Sequence, residues 1–139
     1  MLYRFALEFD NWETFTLVEQ KRIQWDAIRA LVGANCDYIR RISVPLLYDS
    51  GCRFIAENQP FVLNCWHNIP RVLELGGSHC VGLTAWRVAE LRMKFHEDAL
   101  PFILDFEEQV AGVSLQEFHF VVKRANGQIE DPSRLLGMP

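Results

Sequence analysis

The first ten residues alternate: Tyr3, Phe5, Leu7 and Phe9 share one side of an extended chain, with Leu2, Arg4, Ala6 and Glu8 on the other. That period of two predicts a strand with one strongly apolar face. From about Thr16 to Val32 the period lengthens. Leu17, Val18, Trp25, Ile28, Leu31 and Val32 gather on one helical stripe with Arg22, Asp26 and Arg29 opposite, which predicts an amphipathic packing helix. "SVPLLYDSG" and "ENQP" break the pattern with proline and turn residues, around a short aromatic piece at Arg53 to Ile55. "WHNIPRVLELGG" predicts a short helix entered at Asn68 to Pro70 and left through the double glycine. From Cys80 to about Phe95, Val81, Leu83, Ala85, Trp86, Val88, Ala89, Leu91 and Met93 cover most of a helix and leave Arg87, Glu90 and Lys94 on a narrow polar strip. Such a helix is largely buried. "LPFILDF" and "EFHFVVKR" read as strands, "ANGQ" as a hairpin turn, and "IEDPS" as a return strand ending at a proline. Helices first and strands after predict an α+β layout rather than a parallel βαβ sheet.

Composition narrows the class. A chain of 139 residues, 50% hydrophobic and 12% aromatic, suits one domain with a real core. Its net charge of −4 is spread over both signs, so neither nucleic acid nor an acidic membrane surface is an expected partner. No apolar run approaches a membrane span, and the acidic N-terminus is unlike a secretory signal, so the expectation is a soluble protein made in a cytoplasm. Cys36, Cys52, Cys65 and Cys80 form no C-x-x-C pair, and the first three read as reduced, mostly buried thiols. His67 reads as a turn residue and His96 as a helix-end cation. A zinc set of His79, Cys80 and His119 would need adjacent ligands on a helix-opening turn and lacks an evident fourth, so no metal or cofactor is expected.

Cys80 is the one cysteine in a special setting. "GGSHC" predicts a glycine turn that opens directly into a helix, where unpaired amides and the helix dipole favour thiolate over thiol. Acyl transfer also needs a base and a group to orient it. His119, on a candidate strand 39 residues later, is the candidate base, and Asp131 beyond the hairpin turn is the candidate orienter. The alternative is ordinary packing of a cysteine and a histidine in an aromatic-rich core. Hairpin register separates the two. A two-residue loop at Asn126-Gly127 puts Asp131 opposite Val122, on the wrong face. A three-residue loop of Ala125, Asn126 and Gly127 puts it opposite Val121, on the face of His119. Gly127 suits the left-handed position of the longer loop, which is therefore the expected one.

"CVGLTAWRVAELR" followed by "FHFVVKRANGQIEDPSRLLGM" resembles the core of the transglutaminase-like superfamily, in particular small phage-encoded proteins of that type. The similarity runs from about Ile42 to Met138, with "AWRVAELR" and "IEDPSRLLGM" its most specific parts. It implies a papain/transglutaminase-like core of residues 42–139, preceded by a strand and helix in 1–41. A buried helix opened by a cysteine would pack on an antiparallel sheet that carries histidine and aspartate. It also implies Cys80 as nucleophile, His119 as base and Asp131 as orienting carboxylate.

The active-site turn departs from the group's pattern. Where its members carry aspartate before the cysteine and acidic residues after it, this chain has His79, Val81 and Gly82. One expectation is a virion component in which the fold packs against capsid, connector or tail proteins and the site has lost its use. The other is an active cysteine acyl-transfer enzyme, either a peptidase or amidase or a cross-linking transglutaminase. The structural role is the favoured expectation, because it tolerates loss around a cysteine more readily than catalysis does.

Overall fold

The computed structural model describes Tyr3, residues 7–56 and residues 66–139, with side chains outside 106–110 and 113–117. Among them lie four α-helices and five strands in a mixed α+β arrangement, with helices packed on a small sheet. Helix α1 spans Leu17–Arg41. It starts where a capping box forms: the Thr16 hydroxyl accepts the Glu19 amide at 3.1 Å, and the Glu19 carboxylate accepts the Thr16 amide at 2.8 Å. The helix runs nine residues beyond the expected end at Val32, because its last turns are held by tertiary contacts. Asn35 there is fully buried and its Oδ1 accepts the Ile69 amide at 3.0 Å.

The short strand β1, Arg53–Phe54, pairs in parallel with β2, Gly77–Ser78, across helix α2, Ile69–Leu75. This helix matches the sequence expectation: Asn68 caps it, proline sits in its first turn, and Gly76 leaves it at φ 76°. Gly77 is needed by the pair itself, since a Cβ there would stand 2.0 Å from the Arg53 carbonyl oxygen. The parallel pair was not anticipated; two residues are too few for periodicity to reveal.

Helix α3, Cys80–Phe95, lies between two clusters of buried side chains. Val81, Ala85, Val88 and Ala89 meet Ile28 and Val32 of α1 and Phe120 and Val122 of the sheet. Leu83 and Trp86 meet Leu47, Ile69, Val72 and Leu136. A helix with neighbours on both sides has no broad solvent face, which accounts for its nearly continuous apolar sequence. One expectation needs correction here. Glu90, assigned to an outer polar strip, is fully buried; its carboxylate accepts the Leu47 amide at 2.8 Å and Arg87 at 2.9 Å. His96 ends the helix as a left-handed cap, φ 52°, and its backbone N–H bonds to Leu91 O.

Strands β3, Leu100–Val110, and β4, Val113–Lys123, form a long antiparallel hairpin in which Leu104 faces His119. The third strand, β5, is only Ile129–Glu130, paired with Lys123 and Val122, and it passes into the short helix α4, Pro132–Leu135. The expected N-terminal strand does not form among the described residues. Tyr3 and Leu7 to Phe9 have no regular structure and are exposed, and the rest of that expectation, including Phe5, lies outside the described residues, as does Cys65. The Phe9 ring packs locally on Trp12 and Phe15, with centroids 5.4 and 6.0 Å away, rather than across a sheet.

Candidate functional site

The turn after β4 decides where Asp131 goes. The Arg124 amide bonds to Gln128 O at 2.8 Å, the Gly127 amide bonds to Arg124 O at 2.8 Å, and Gly127 lies at φ 86°. The loop therefore contains Ala125, Asn126 and Gly127, with glycine in its left-handed position. Val122 pairs with Glu130, so the register carries Asp131 to the level of Val121, on the side of His119. There His119 Nε2 and Asp131 Oδ2 are 2.8 Å apart, both side chains largely covered. The other carboxylate oxygen accepts the Arg134 amide at 3.3 Å as the cap of α4, so the carboxylate is anchored from both ends. With Nε2 engaged, Nδ1 is the nitrogen left for proton transfer.

Cys80 is the first residue of α3 and half-buried, packed against the cluster that contains Phe120. One turn further on, the Thr84 hydroxyl donates to Phe120 O at 3.0 Å. β5 ends at Glu130 and does not extend along this stretch of β4, so the helix takes the carbonyl instead. That contact sets α3, one turn beyond Cys80, against the β4 edge at the residue next to His119. His119 and Asp131 are thus in direct contact, while Cys80 opens the helix that Thr84, one turn on, ties to the neighbouring residue of β4.

The unusual turn residues have structural roles. His79 supplies the helix cap that an aspartate would otherwise make: its Nδ1 accepts the Val81 amide at 3.3 Å. Gly82 makes room for Ser78, whose Oγ would lie 2.4 Å from a Cβ at position 82. Ser78, 2% exposed, is held by His67, with Nδ1 and Oγ 3.0 Å apart. The His67 and His79 rings are 5.8 Å apart. Burial, with His79 and Arg71 nearby, pushes the His67 imidazole below its ordinary pKa. The reading of His67 as a plain turn residue is therefore corrected. Its partners lie 11 and 12 positions away, and nothing in the local pattern announces them.

A charged network behind the site also escaped the sequence reading. Glu130 Oε2 accepts from Arg87 Nε at 2.7 Å and from the Tyr48 hydroxyl at 2.6 Å, while Oε1 accepts from Arg124 Nη1 at 2.8 Å. Arg124 also pairs with Glu97, Nη2 to Oε1 2.7 Å. Burial works against the charged form of Glu130, yet Arg87, Tyr48 and Arg124 together hold its carboxyl below the usual range. Glu90 goes the other way, raised by burial despite Leu47 and Arg87. A depressed carboxylate contributes stability above its unfolded pKa of about 4.3 and loses it as pH falls through the folded value. Glu130→Gln is therefore expected to flatten the loss of stability between pH 5 and 3, measured by urea unfolding at each pH; an unchanged slope would mean that the carboxylate is not depressed.

Among the described residues no group of three or more histidines, cysteines or carboxylates is arranged to hold a metal ion, and no helix is long and apolar enough to cross a membrane. No protein-family model matches the chain, and no curated protein or solved structure matches it either.

Proposed function

We propose that this protein is a cysteine acyl-transfer enzyme with a transglutaminase-like core, in which Cys80 is the nucleophile, His119 the base and Asp131 the orienter. The observation that carries this reading is the 2.8 Å contact between His119 and Asp131, made by a hairpin register that a two-residue turn would have ruled out. In the reaction, His119 Nδ1 takes the Cys80 proton and the thiolate attacks an amide carbonyl carbon. The C–N bond then breaks as the imidazolium returns the proton to the departing amine, leaving a thioester. Water or a second amine attacks the thioester with His119 again taking a proton, and the Cys80 thiolate leaves. Asp131 keeps the ring oriented and stabilises its charged form, and the start of α3 favours the thiolate.

The departures at the turn fit activity better than relaxation. His79 caps the helix without putting a carboxylate beside the thiolate, and Gly82 lets Ser78 pack against the first turn. The second reading is a virion component that uses the fold to pack on other phage proteins. It draws on the sequence resemblance and on the exposed apolar residues Tyr3, Leu7 and Val18, which are 72%, 69% and 75% accessible.

Treatment with p-nitrophenyl acetate, followed by peptide mass analysis, separates the two. An acetyl thioester is expected on Cys80, formed roughly 100-fold or more slowly in His119→Ala, within the range of acid–base contributions. Acetylation of the Cys80 peptide at equal rates in wild type and His119→Ala would sink the enzyme reading. Recovery of the chain in purified particles would then favour the second.

A further inference from the structure

We infer that Glu130 is a positioning residue of this site, clamping the strand that presents Asp131 to the helix that presents Cys80; the inference rests on the acyl-transfer reading. Strand β5 has only two residue pairs with β4, which set its register but do not tie it to α3. The Glu130 carboxylate supplies what the ladder lacks. Its donors come from three different places: Arg87 in α3, Tyr48 in the 3-10 turn Leu47–Asp49, and Arg124 just after β4. Successive strand residues project to opposite sides, so Glu130 reaches towards α3 while Asp131 turns to His119. One dipeptide thereby couples helix and histidine.

Arg87 is itself well fixed. It donates to Glu90 at 2.9 Å, and its guanidinium lies 4.8 Å over the Tyr48 ring. It sits two turns along α3 from Cys80, about 10 Å at 1.5 Å per residue, on one rigid helix. A shift of β5 against α3 therefore moves Asp131, and with it the orientation of the His119 ring it holds, relative to the sulfur. A misplacement of about 1 Å in such a set is enough to cost on the order of 100-fold in rate.

A clamp that only held the fold would affect stability and nothing else, so the test reads titrations. Cys80 alkylation by iodoacetamide is followed from pH 5 to 10 on the peptide that carries it, and the His119 imidazole is titrated by NMR. In Glu130→Gln, which keeps the shape and removes the charge, the Cys80 midpoint is expected to rise by roughly one pH unit and that of His119 to fall, as loosened ion pairing requires. If thermal stability drops while both midpoints keep their wild-type values, Glu130 serves the fold alone and the inference is overturned. Tyr48→Phe removes one hydrogen bond from the same carboxylate and replaces Glu130→Gln should that variant not fold; shifts of the same sign but smaller are expected, and none would overturn the inference. The underlying reading is checked separately by His119→Asn. If Cys80 in the wild type titrates as an ordinary thiol and ignores that change, the acyl-transfer reading fails and the positioning role falls with it.

Discussion

Replacing Arg87 with methionine is expected to cost about 3–5 kcal/mol at neutral pH, the range found when one partner of a buried ion pair is removed. For a chain of this size that lowers the thermal midpoint by roughly 10–20 °C. Arg87 is 12% exposed and bridges Glu90, with no exposure, and Glu130, at 14%. Methionine fills the space of the stem but leaves two carboxylates facing one another. Glu90 would keep the Leu47 amide, and Glu130 would keep Tyr48 and Arg124. The sign of the pH dependence follows from Glu90, already raised by burial. Without Arg87 it rises further. Stability tied to a raised carboxyl is present at low pH and lost as pH climbs through the folded value. The deficit of Arg87→Met should thus shrink between pH 7 and pH 5, and adding Glu90→Gln should recover part of it. Urea unfolding at the two pH values decides the matter: a loss under about 1 kcal/mol would place the pair in the range of solvent-screened surface bridges.

Gly82→Ala is expected to destabilise the protein by about 1–3 kcal/mol, the usual cost of overpacking. Helix propensity alone argues the reverse, since alanine gains up to about 1 kcal/mol over glycine inside a helix. Packing wins here because the new Cβ would lie 2.4 Å from Ser78 Oγ, 2.9 Å from Ser78 Cβ and 3.3 Å from the His67 carbonyl oxygen. Ser78 cannot simply swing aside; it is buried and bonded to His67. Either β2 or the first turn of α3 must move, and Cys80 moves with the latter. The double variant Ser78→Gly, Gly82→Ala removes both close contacts with Ser78 and should return most of the loss. Chemical denaturation of the two variants beside the wild type tests this; a more stable Gly82→Ala single variant would show that the turn is looser than its geometry indicates.

These two positions also show why the site was only partly legible. Gly82 read only as a departure at the turn and Arg87 and Glu90 as a polar strip, because periodicity reports which side of a helix is apolar and nothing about what packs there. The residues that answer Arg87 and Glu90 are Glu130, Tyr48 and Leu47; Arg87 and Glu130 lie 43 positions apart, as do Glu90 and Leu47. The N-terminal alternation misled for a related reason. A period of two marks a strand only if an edge is there to pair with, and Leu7 to Phe9 pair with none among the described residues. The length of α1 was underestimated because Asn35, a poor helix former by propensity, is held by the Ile69 amide.

Local chemistry was readable wherever a residue's own conformational limits set the structure. Asn68 and Gly76 bound α2, Cys80 opens α3, and Gly127 fixes a three-residue loop, each from cap or left-handed preferences that act within a few residues. That was enough to predict the pairing of His119 with Asp131, since hairpin register is a short-range property. Tertiary structure alone decided the rest: that Thr84 ties the Cys80 helix to the β4 edge, that Ser78 needs the space left by Gly82, and that Glu130 joins strand to helix. These depend on which distant groups share a desolvated space, where a buried charge or hydroxyl must find a partner whatever its place in the chain.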